Sequence, residues 1–174
     1  MGEYTGRIEI ARPPGEVFAF LSDLRNMPHY LPTVSHVGRL GHHDDHADVA
    51  VEGEAGGHRY HNDGWVKAEP ETHRMSWGSH TLADYHGMLA VTASGAGSIV
   101  DLNLTITTRP EVAERMRAEH GSVDRGMRMS LDRTLASIKA CCEQPPAARD
   151  AANDDEALHD SRPFGSSATP GPEI

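Results

Sequence analysis

Residues 12–32, RPPGEVFAFLSDLRNMPHYLP, constrain the fold more than any other segment of the chain. They follow an alternating pattern at residues 7–10 that is typical of a strand. One face of the segment carries apolar residues at helical spacing, namely Val17, Phe18, Leu21 and Leu24. Prolines at the entrance suit the first turn of a helix, and Pro28 and Pro32 keep a second helix short. The segment therefore predicts a strand followed by two short helices.

Alternation of apolar and polar residues dominates the middle of the chain. In residues 100–107, VDLNLTIT, four aliphatic side chains share one face and polar residues share the other. Such a strand covers a core on one side and meets water on the other, which favours an antiparallel sheet. Further strands are predicted at 7–10, 34–40, 48–52, 58–68, 73–77 and 85–93.

After the last strand the apolar spacing changes to three and four residues. Residues 108–111, TRPE, fit a capping box and predict a helix start there. The apolar stripe that follows comprises Met116, Val123, Met127, Leu131, Leu135 and Ile138. Gly121 and Gly126 weaken the helical pattern and are expected to divide the region into a short and a long helix. The long helix has one apolar face, and the one-sided sheet is the surface it can cover.

The composition changes at about Gln144. Residues 144–174 are rich in Asp, Ser, Gly and Pro, and their 6 acidic and 2 basic residues give a net charge of −4. With few apolar residues to bury, this segment is predicted to be a disordered acidic tail. The expected organisation is one domain over residues 1–143 and a tail over 144–174.

Charge and hydropathy exclude several classes of protein. The chain has 26 acidic and 16 basic residues, a net charge of −10, which opposes nucleic-acid binding. No run approaches the roughly 18 apolar residues of a membrane span, so stable membrane insertion is not expected. The first residues lack the basic and apolar regions of a secretion signal, so a cytoplasmic location is predicted. Adjacent Cys141 and Cys142 point about 100° apart on a helix and are expected to be reduced thiols.

The order of one strand, two short helices, about six strands and a long helix resembles the START-like (SRPBCC) superfamily, and within it the polyketide cyclase/dehydrase-like group. The resemblance covers residues 4–142 and rests on the opening segment, on the turn at 69–71 with the strand residues 75–77, and on the final amphipathic helix. It implies an α+β helix-grip (Bet v 1-like) fold, with a curved antiparallel sheet of about seven strands, two short helices and a long C-terminal helix. It also implies a cavity between sheet and helix that holds a hydrophobic ligand.

Strand alternation selects the residues expected to face that cavity. On strand 58–68 we prefer the face of Tyr60, because Val66 and Ala68 share it, although a bulge at Gly64 would exchange the two faces. On strand 85–93 we prefer the face of Tyr85. The predicted lining residues are Tyr30, Tyr60, Asn62, Met75, Trp77, Tyr85, Leu89, Leu102, Leu104, Met127 and Leu131.

Three open alternatives concern the roles of individual residues. Tyr30 either guards the cavity mouth or packs to anchor the second short helix, and Trp77 is either core or a ligand platform. Met116, Gly126, Met127 and Met129 either line an adaptable pocket or fill gaps in the core.

Three functions fit the predicted fold. The preferred one is binding of a small hydrophobic or amphipathic molecule, such as a lipid, a quinone or a polyketide-like ring compound. The second is a polyketide cyclase or dehydratase using acid/base catalysis, with Tyr60, His73 and Tyr85 as candidate catalytic groups and His58 and Asn62 after them. The third is a protein-interaction module with a vestigial cavity. We expect a small hydrophobic ligand as partner and no cofactor, and a homodimer stays open.

Histidine is unusually frequent, with 12 copies, and residues 42–46, HHDDH, cluster in one connection between strands. Imidazole and carboxylate are good ligands for zinc or nickel. The segment is nevertheless polar and lies in a turn, so a solvated turn is preferred over a dedicated metal site.

Overall fold

The structure is a computed structural model that describes residues 1–55, 57–82 and 84–144. The compact unit formed by these residues spans Met1–Gln144. The acidic tail predicted from the composition lies outside the described residues.

Seven antiparallel strands form one curved sheet in the order β1-β7-β6-β5-β4-β3-β2. They are β1 (Gly2–Ile10), β2 (Val34–His42), β3 (Ala47–Ala55), β4 (His58–Glu69), β5 (Arg74–Ser79), β6 (His86–Ser94) and β7 (Gly97–Ile106). The helices are α1 (Pro14–Ser22), a 3-10 turn (Leu24–Asn26), α2 (Met27–Tyr30), α3 (Pro110–His120) and α4 (Val123–Glu143). The α+β helix-grip architecture predicted from the sequence is confirmed.

The start of α3 differs from the prediction. The helix begins at Pro110 with Arg109 in the capping position and no side-chain cap, so the capping box predicted at residues 108–111 is wrong. Proline favours the first helical position because its φ is already helical and it lacks an N–H, and this shifts the start by one residue. Gly121, at φ +84°, ends α3 as predicted, and Ser122 caps α4 by accepting from the backbone N–H of Arg125 at 3.1 Å.

One face of α4 forms the core together with β1. Its buried residues are Gly126, Met127, Leu131, Leu135, Ile138 and Cys142. The helix packs against β1, and its other neighbours include α1, α2 and α3. Gly6 lies where β1 contacts α4 closely, and an added Cβ there would stand 2.5 Å from Cδ1 of Leu135 and 3.1 Å from Cδ2 of Leu131. The missing side chain therefore sets the distance between the long helix and the sheet.

Polar contacts fix both ends of α4 to β1. Near its start, the Tyr4 hydroxyl donates to Asp124 Oδ1 at 2.9 Å. Near its end, Glu143 Oε1 accepts from the Ala11 backbone N–H at 2.9 Å and from Lys139 Nζ at 2.8 Å. Lys139 Nζ also donates to the carbonyl of Glu9 at 2.8 Å. Since the helix is held at both ends, its position along β1 is fixed.

None of the helices in the described ranges combines the length and the apolar character needed to cross a membrane.

The contact at Gly6 generates a stability prediction. Replacing Gly6 with Val should lower the free energy of unfolding by about 1–3 kcal/mol, because the new side chain overpacks the contact with Leu131 and Leu135. Valine suits a strand, so backbone propensity would not explain a loss. Denaturant unfolding followed by circular dichroism measures the change. Gly38→Val in β2 is the matched control, because a Cβ there meets nothing nearer than 3.5 Å. Equal losses in both variants would contradict the role of Gly6.

The contacts of Glu143 generate a pH prediction. Hydrogen bonds from Lys139 and from the Ala11 N–H hold the pKa of Glu143 below its usual value of 4.5. A lowered folded-state pKa contributes stability above pH 4.5 that is lost as pH falls through the folded pKa. Thermal melts of wild type and Glu143→Gln should therefore differ at about pH 7 and converge well below the usual pKa of the carboxyl. A difference that persists unchanged at about pH 3 would show that the carboxylate charge is not the cause.

Candidate functional site

The face of the sheet directed at α4 follows from the register. Tyr60, Asn62 and Gly64 stand opposite Gly53, Val51 and Val49 in unbroken alternation. Gly64 therefore introduces no bulge, and the preferred face of β4 is the inner one. On β6 the buried residues are Gly87, Leu89 and Val91, which likewise confirms the preferred face of that strand.

One half of the inner face is a packed core. Six of the predicted lining residues lie here and are at most 7% exposed: Met75, Leu89, Leu102, Met127, Leu131 and Tyr30. Their neighbours include Phe18 and Leu21 of α1, which closes this end of the sheet.

The other half is only partly covered, and its lining forms what we call the aromatic groove: Tyr60, Asn62, Trp77, Tyr85 and Leu104. All five are half-buried although they lie on the inner side of the fold. Leu104 and Trp77 belong to one row across the sheet, separated by Gly87. The Tyr85 phenol meets the indole N–H of Trp77 and lies near enough to Tyr60 for the two phenols to interact electrostatically. The structure thus brings these predicted residues together.

Glycines let the aromatic rings of the groove lie flat on the sheet. Trp77 faces Gly87 on the neighbouring strand, and a Cβ there would overlap Cζ2 of the indole. Tyr60 faces Gly53 in the same way, with 2.6 Å between such a Cβ and the phenol oxygen. Each ring therefore occupies the place of a missing side chain and lies against the backbone of the neighbouring strand.

The two tyrosines of the groove differ in how their hydroxyls are used. The Tyr60 hydroxyl donates to the carbonyl of Thr33 at 3.0 Å and so fastens the segment after α2 to β4. Burial raises the pKa of Tyr85, while the facing indole N–H of Trp77 acts in the opposite direction. The Tyr85 phenol therefore stays protonated at neutral pH and is the better placed donor for a bound molecule.

His73 lies away from these groups. It precedes β5 in the left-handed region, at φ +51°, and its ring stacks on Phe18 of α1 with centroids 5.4 Å apart. Its carbonyl accepts from the backbone N–H of Val91 at 3.0 Å. The structure does not bring His73 together with Tyr60 and Tyr85. His58, the first residue of β4, is exposed.

Tyr30 is buried in the core, where it packs between α2 and α1. Its hydroxyl donates to the carbonyl of Leu21 at 2.8 Å and joins α2 to α1. Burial raises its pKa well above the ordinary value of 10.0. These contacts correspond to the anchoring alternative rather than to a guard of the cavity mouth.

The methionines and Gly126 divide between different environments. Met127 is buried under the sheet, whereas Met129 is 37% exposed and faces solvent, so it lines no pocket. Gly126 lies against α3, where an added Cβ would stand 3.1 Å from Cγ of Met116.

A second cluster lies on the outer face of the sheet, where His43, His46 and Asp48 bring potential metal-ligating atoms within 4.8 Å of one another. His80 adds a contact to Asp48, with 2.9 Å between Nε2 and Oδ1. The His-rich connection was visible in the sequence, but Asp48 and His80 were missed. Alternation from His46 could have found Asp48, since it lies two residues further on the same face. No sequence signal linked His80, which arrives from another connection.

Comparison with known proteins agrees with this architecture. The model of the family described as polyketide cyclase / dehydrase and lipid transport matches residues 1–143. No curated protein matches the sequence.

Solved structures share the fold at low sequence identity. TTHA0849 from Thermus thermophilus is 20% identical, with 80% of this chain and 95% of that chain covered at a TM-score of 0.66. A START superfamily protein from Mycobacterium smegmatis is 13% identical, and the match covers 82% of this chain and 97% of that chain at a TM-score of 0.67. The Zhui aromatase/cyclase from Streptomyces sp. R1128 is 12% identical, and the match covers 79% of this chain and 93% of that chain at a TM-score of 0.57. These likenesses show the fold.

Proposed function

The chain belongs to the polyketide cyclase/dehydrase and lipid transport family, and on that premise we propose that it binds a small hydrophobic or amphipathic molecule in the aromatic groove. The observation that carries the proposal is the pairing of Trp77 with Gly87 on the inner face of the sheet. A half-buried indole that lies against the backbone of β6 on the inner face offers an apolar platform, and such a platform is stabilised when another apolar group covers it.

The chemistry of the groove indicates the class of ligand. Its walls are aromatic and aliphatic, with Trp77 and Leu104 in one row and Tyr60 further along the same face. The polar groups are the hydroxyls of Tyr60 and Tyr85 and the amide of Asn62, and the protonated phenol of Tyr85 can donate to a carbonyl or hydroxyl oxygen. A quinone, a polyketide-like ring compound or a lipid with one oxygen-bearing end meets these requirements. A cytoplasmic location stays a prediction from the sequence, and whether the chain forms a homodimer stays open.

The two tryptophans provide a direct test. Trp77 lies in the groove, whereas Trp65 stands opposite Gly78 and Asp48 on the outer face. In the Trp65→Phe protein, Trp77 is the one remaining source of tryptophan fluorescence. Titration with 2,3-dimethyl-1,4-naphthoquinone should quench this emission to saturation. In the Trp77→Phe protein, Trp65 is the remaining source, and the quinone should quench its emission no more than it quenches free tryptophan. Both ring positions of this quinone that react with thiols are blocked, so Cys141 and Cys142 are not alkylated.

Affinity measurements sharpen the same test. Trp77→Ala should weaken binding of the quinone about two- to tenfold in calorimetry, since the lost stacking is worth roughly 0.5–1.5 kcal/mol. Trp65→Ala, on the other face, should leave the affinity unchanged. Equal effects of the two substitutions, or saturable quenching of Trp65 alone, would place the ligand outside the groove and reject the proposal.

A second candidate function, cyclisation or dehydration of a polyketide intermediate, is favoured by the position of Tyr85. Acid/base catalysis requires a proton donor aimed at a carbonyl oxygen. The Tyr60 proton is already donated to Thr33, which leaves Tyr85 as the candidate acid among the two tyrosines of the groove.

The matched phenylalanine substitutions test this second function. Tyr85→Phe keeps the ring and removes the donor, so turnover of a β-hydroxyketone substrate should fall about 10²–10⁴-fold while quinone binding persists. Tyr60→Phe should lower stability and leave most of the turnover. Wild-type turnover in Tyr85→Phe, or none in the wild type, would exclude this chemistry and leave the binding function standing.

A further inference from the structure

The turn between β2 and β3 brings two imidazoles side by side. The backbone N–H of His43 donates to the carbonyl of His46 at 2.8 Å, which closes a two-residue turn formed by Asp44 and Asp45. Residues that face each other across an antiparallel hairpin project their side chains to the same face. The two rings stack with centroids 4.5 Å apart and an interplanar angle of 17°.

A carboxylate lies beside this pair on the same face. Asp48 Oδ2 is 2.8 Å from Nε2 of His43, and Asp48 Oδ1 is 3.8 Å from Nε2 of His46. The residue opposite Asp48 is Gly41, whose missing side chain leaves room around the carboxylate. Two imidazole nitrogens and one carboxylate oxygen thus lie within 4.8 Å of one another.

Further groups orient this donor set from outside. Asp45 Oδ1 lies 2.6 Å from Nδ1 of His46, and an N–H at Nδ1 leaves the Nε2 lone pair directed at Asp48. His80 Nε2 lies 2.9 Å from Asp48 Oδ1 and holds the carboxylate from the connection between β5 and β6. Carboxylate and histidine partners of this kind accompany metal-binding residues in many proteins because they fix ring orientation.

We propose that His43, His46 and Asp48 bind one divalent transition-metal ion, with Zn²⁺ as the best fit. Their ligand atoms already lie within 4.8 Å of one another, and tetrahedral coordination at bond lengths of roughly 2.0–2.2 Å needs a separation of about 3.3 Å. The side chains of His43, His46 and Asp48 are 53%, 31% and 28% exposed, so small rotations bring the atoms into place. Three protein ligands leave a fourth position for water.

The donor set selects the class of metal. Two imidazoles and one carboxylate suit Zn²⁺, Co²⁺ or Ni²⁺, whereas Mg²⁺ and Ca²⁺ prefer sets made wholly of oxygen. The cluster also borders an open depression of about 310 Å³ lined by Asp45, His46, Trp65, Lys67 and Ser76. A metal at this point would lie near Trp65 and on the face of the sheet opposite to Trp77.

A neighbouring group of similar composition serves as the control. His61 lies between Glu52 at 3.4 Å and Asp63 at 3.2 Å on the same outer face. It offers a single imidazole and comparable exposure, at 57%. Non-specific binding to a His-rich acidic surface would involve His61 as much as His46.

The experiment uses the full chain without a polyhistidine tag, stripped with a chelator and titrated with ZnCl₂ by calorimetry. We expect one saturable equivalent of Zn²⁺. His43→Ala and His46→Ala should each lower the affinity about 100-fold or more, and His80→Ala and Asp45→Asn, which remove orienting partners, should lower it about tenfold. His61→Ala should retain the wild-type affinity. Circular dichroism checks that each variant folds.

Fluorescence gives an independent readout of where the metal binds. Addition of Ni²⁺ should quench Trp65 in Trp77→Phe protein and leave Trp77 unquenched in Trp65→Phe protein. The proposal is overturned if His46→Ala binds Zn²⁺ as wild type does, if His61→Ala loses as much affinity as His46→Ala, or if binding never saturates. None of these outcomes bears on ligand binding in the aromatic groove, which Trp77 reports separately.

Discussion

The close contact between α4 and β1 is the constraint on which the rest of the structure depends. Gly6 allows Leu131 and Leu135 to reach the sheet, and polar contacts at Tyr4 and Glu143 fix the two ends of the helix. Because a curved sheet of seven strands is wider than one helix, a helix held at the β1 side leaves the inner face around Trp77 and Tyr60 only half covered. The groove is thus a consequence of where the helix is anchored.

Glycines on neighbouring strands decide how the aromatic residues use the space that remains. Trp77 lies over Gly87 and Tyr60 over Gly53 on the inner face, and Trp65 lies over Gly78 on the outer face. An aromatic ring opposite glycine covers backbone that would otherwise be bare. On the inner side, the rings of Trp77 and Tyr60 lie close to the backbone of the neighbouring strands, so they give the groove an apolar surface without projecting far from the sheet.

The two faces of the sheet carry different chemistry because alternation separates them. The inner face of β3 presents Ala47, Val49 and Val51, whereas the outer face presents Asp48, and His46 directly precedes the strand. A hydrophobic ligand and a metal ion would therefore occupy opposite faces of the same sheet. The thickness of the sheet separates them, which is why one tryptophan can report on each side.

Sequence reasoning succeeded where the signal was local. The alternation in residues 100–107 predicted β7 within a few residues, and the faces of β4 and β6 followed from the apolar residues they share. It failed at the start of α3, where Pro110 outweighed the capping-box pattern, and at Met129, which lies outside the buried stripe of α4. Both errors arise because a sequence pattern shows periodicity only. It does not show which of two adjacent residues begins a helix, or which apolar residues of a helix face the core.

The sequence by itself determined the order of the elements, the preferred inner faces of strands 58–68 and 85–93 and the family to which the chain belongs, since these depend on periodicity and on short motifs. Only the tertiary structure decided which polar groups meet. Tyr60 reaches Thr33, Tyr85 faces Trp77, and His80 reaches Asp48 across an intervening strand. Such contacts join residues far apart in the chain, so they depend on strand order, register and curvature of the sheet, which no local pattern encodes.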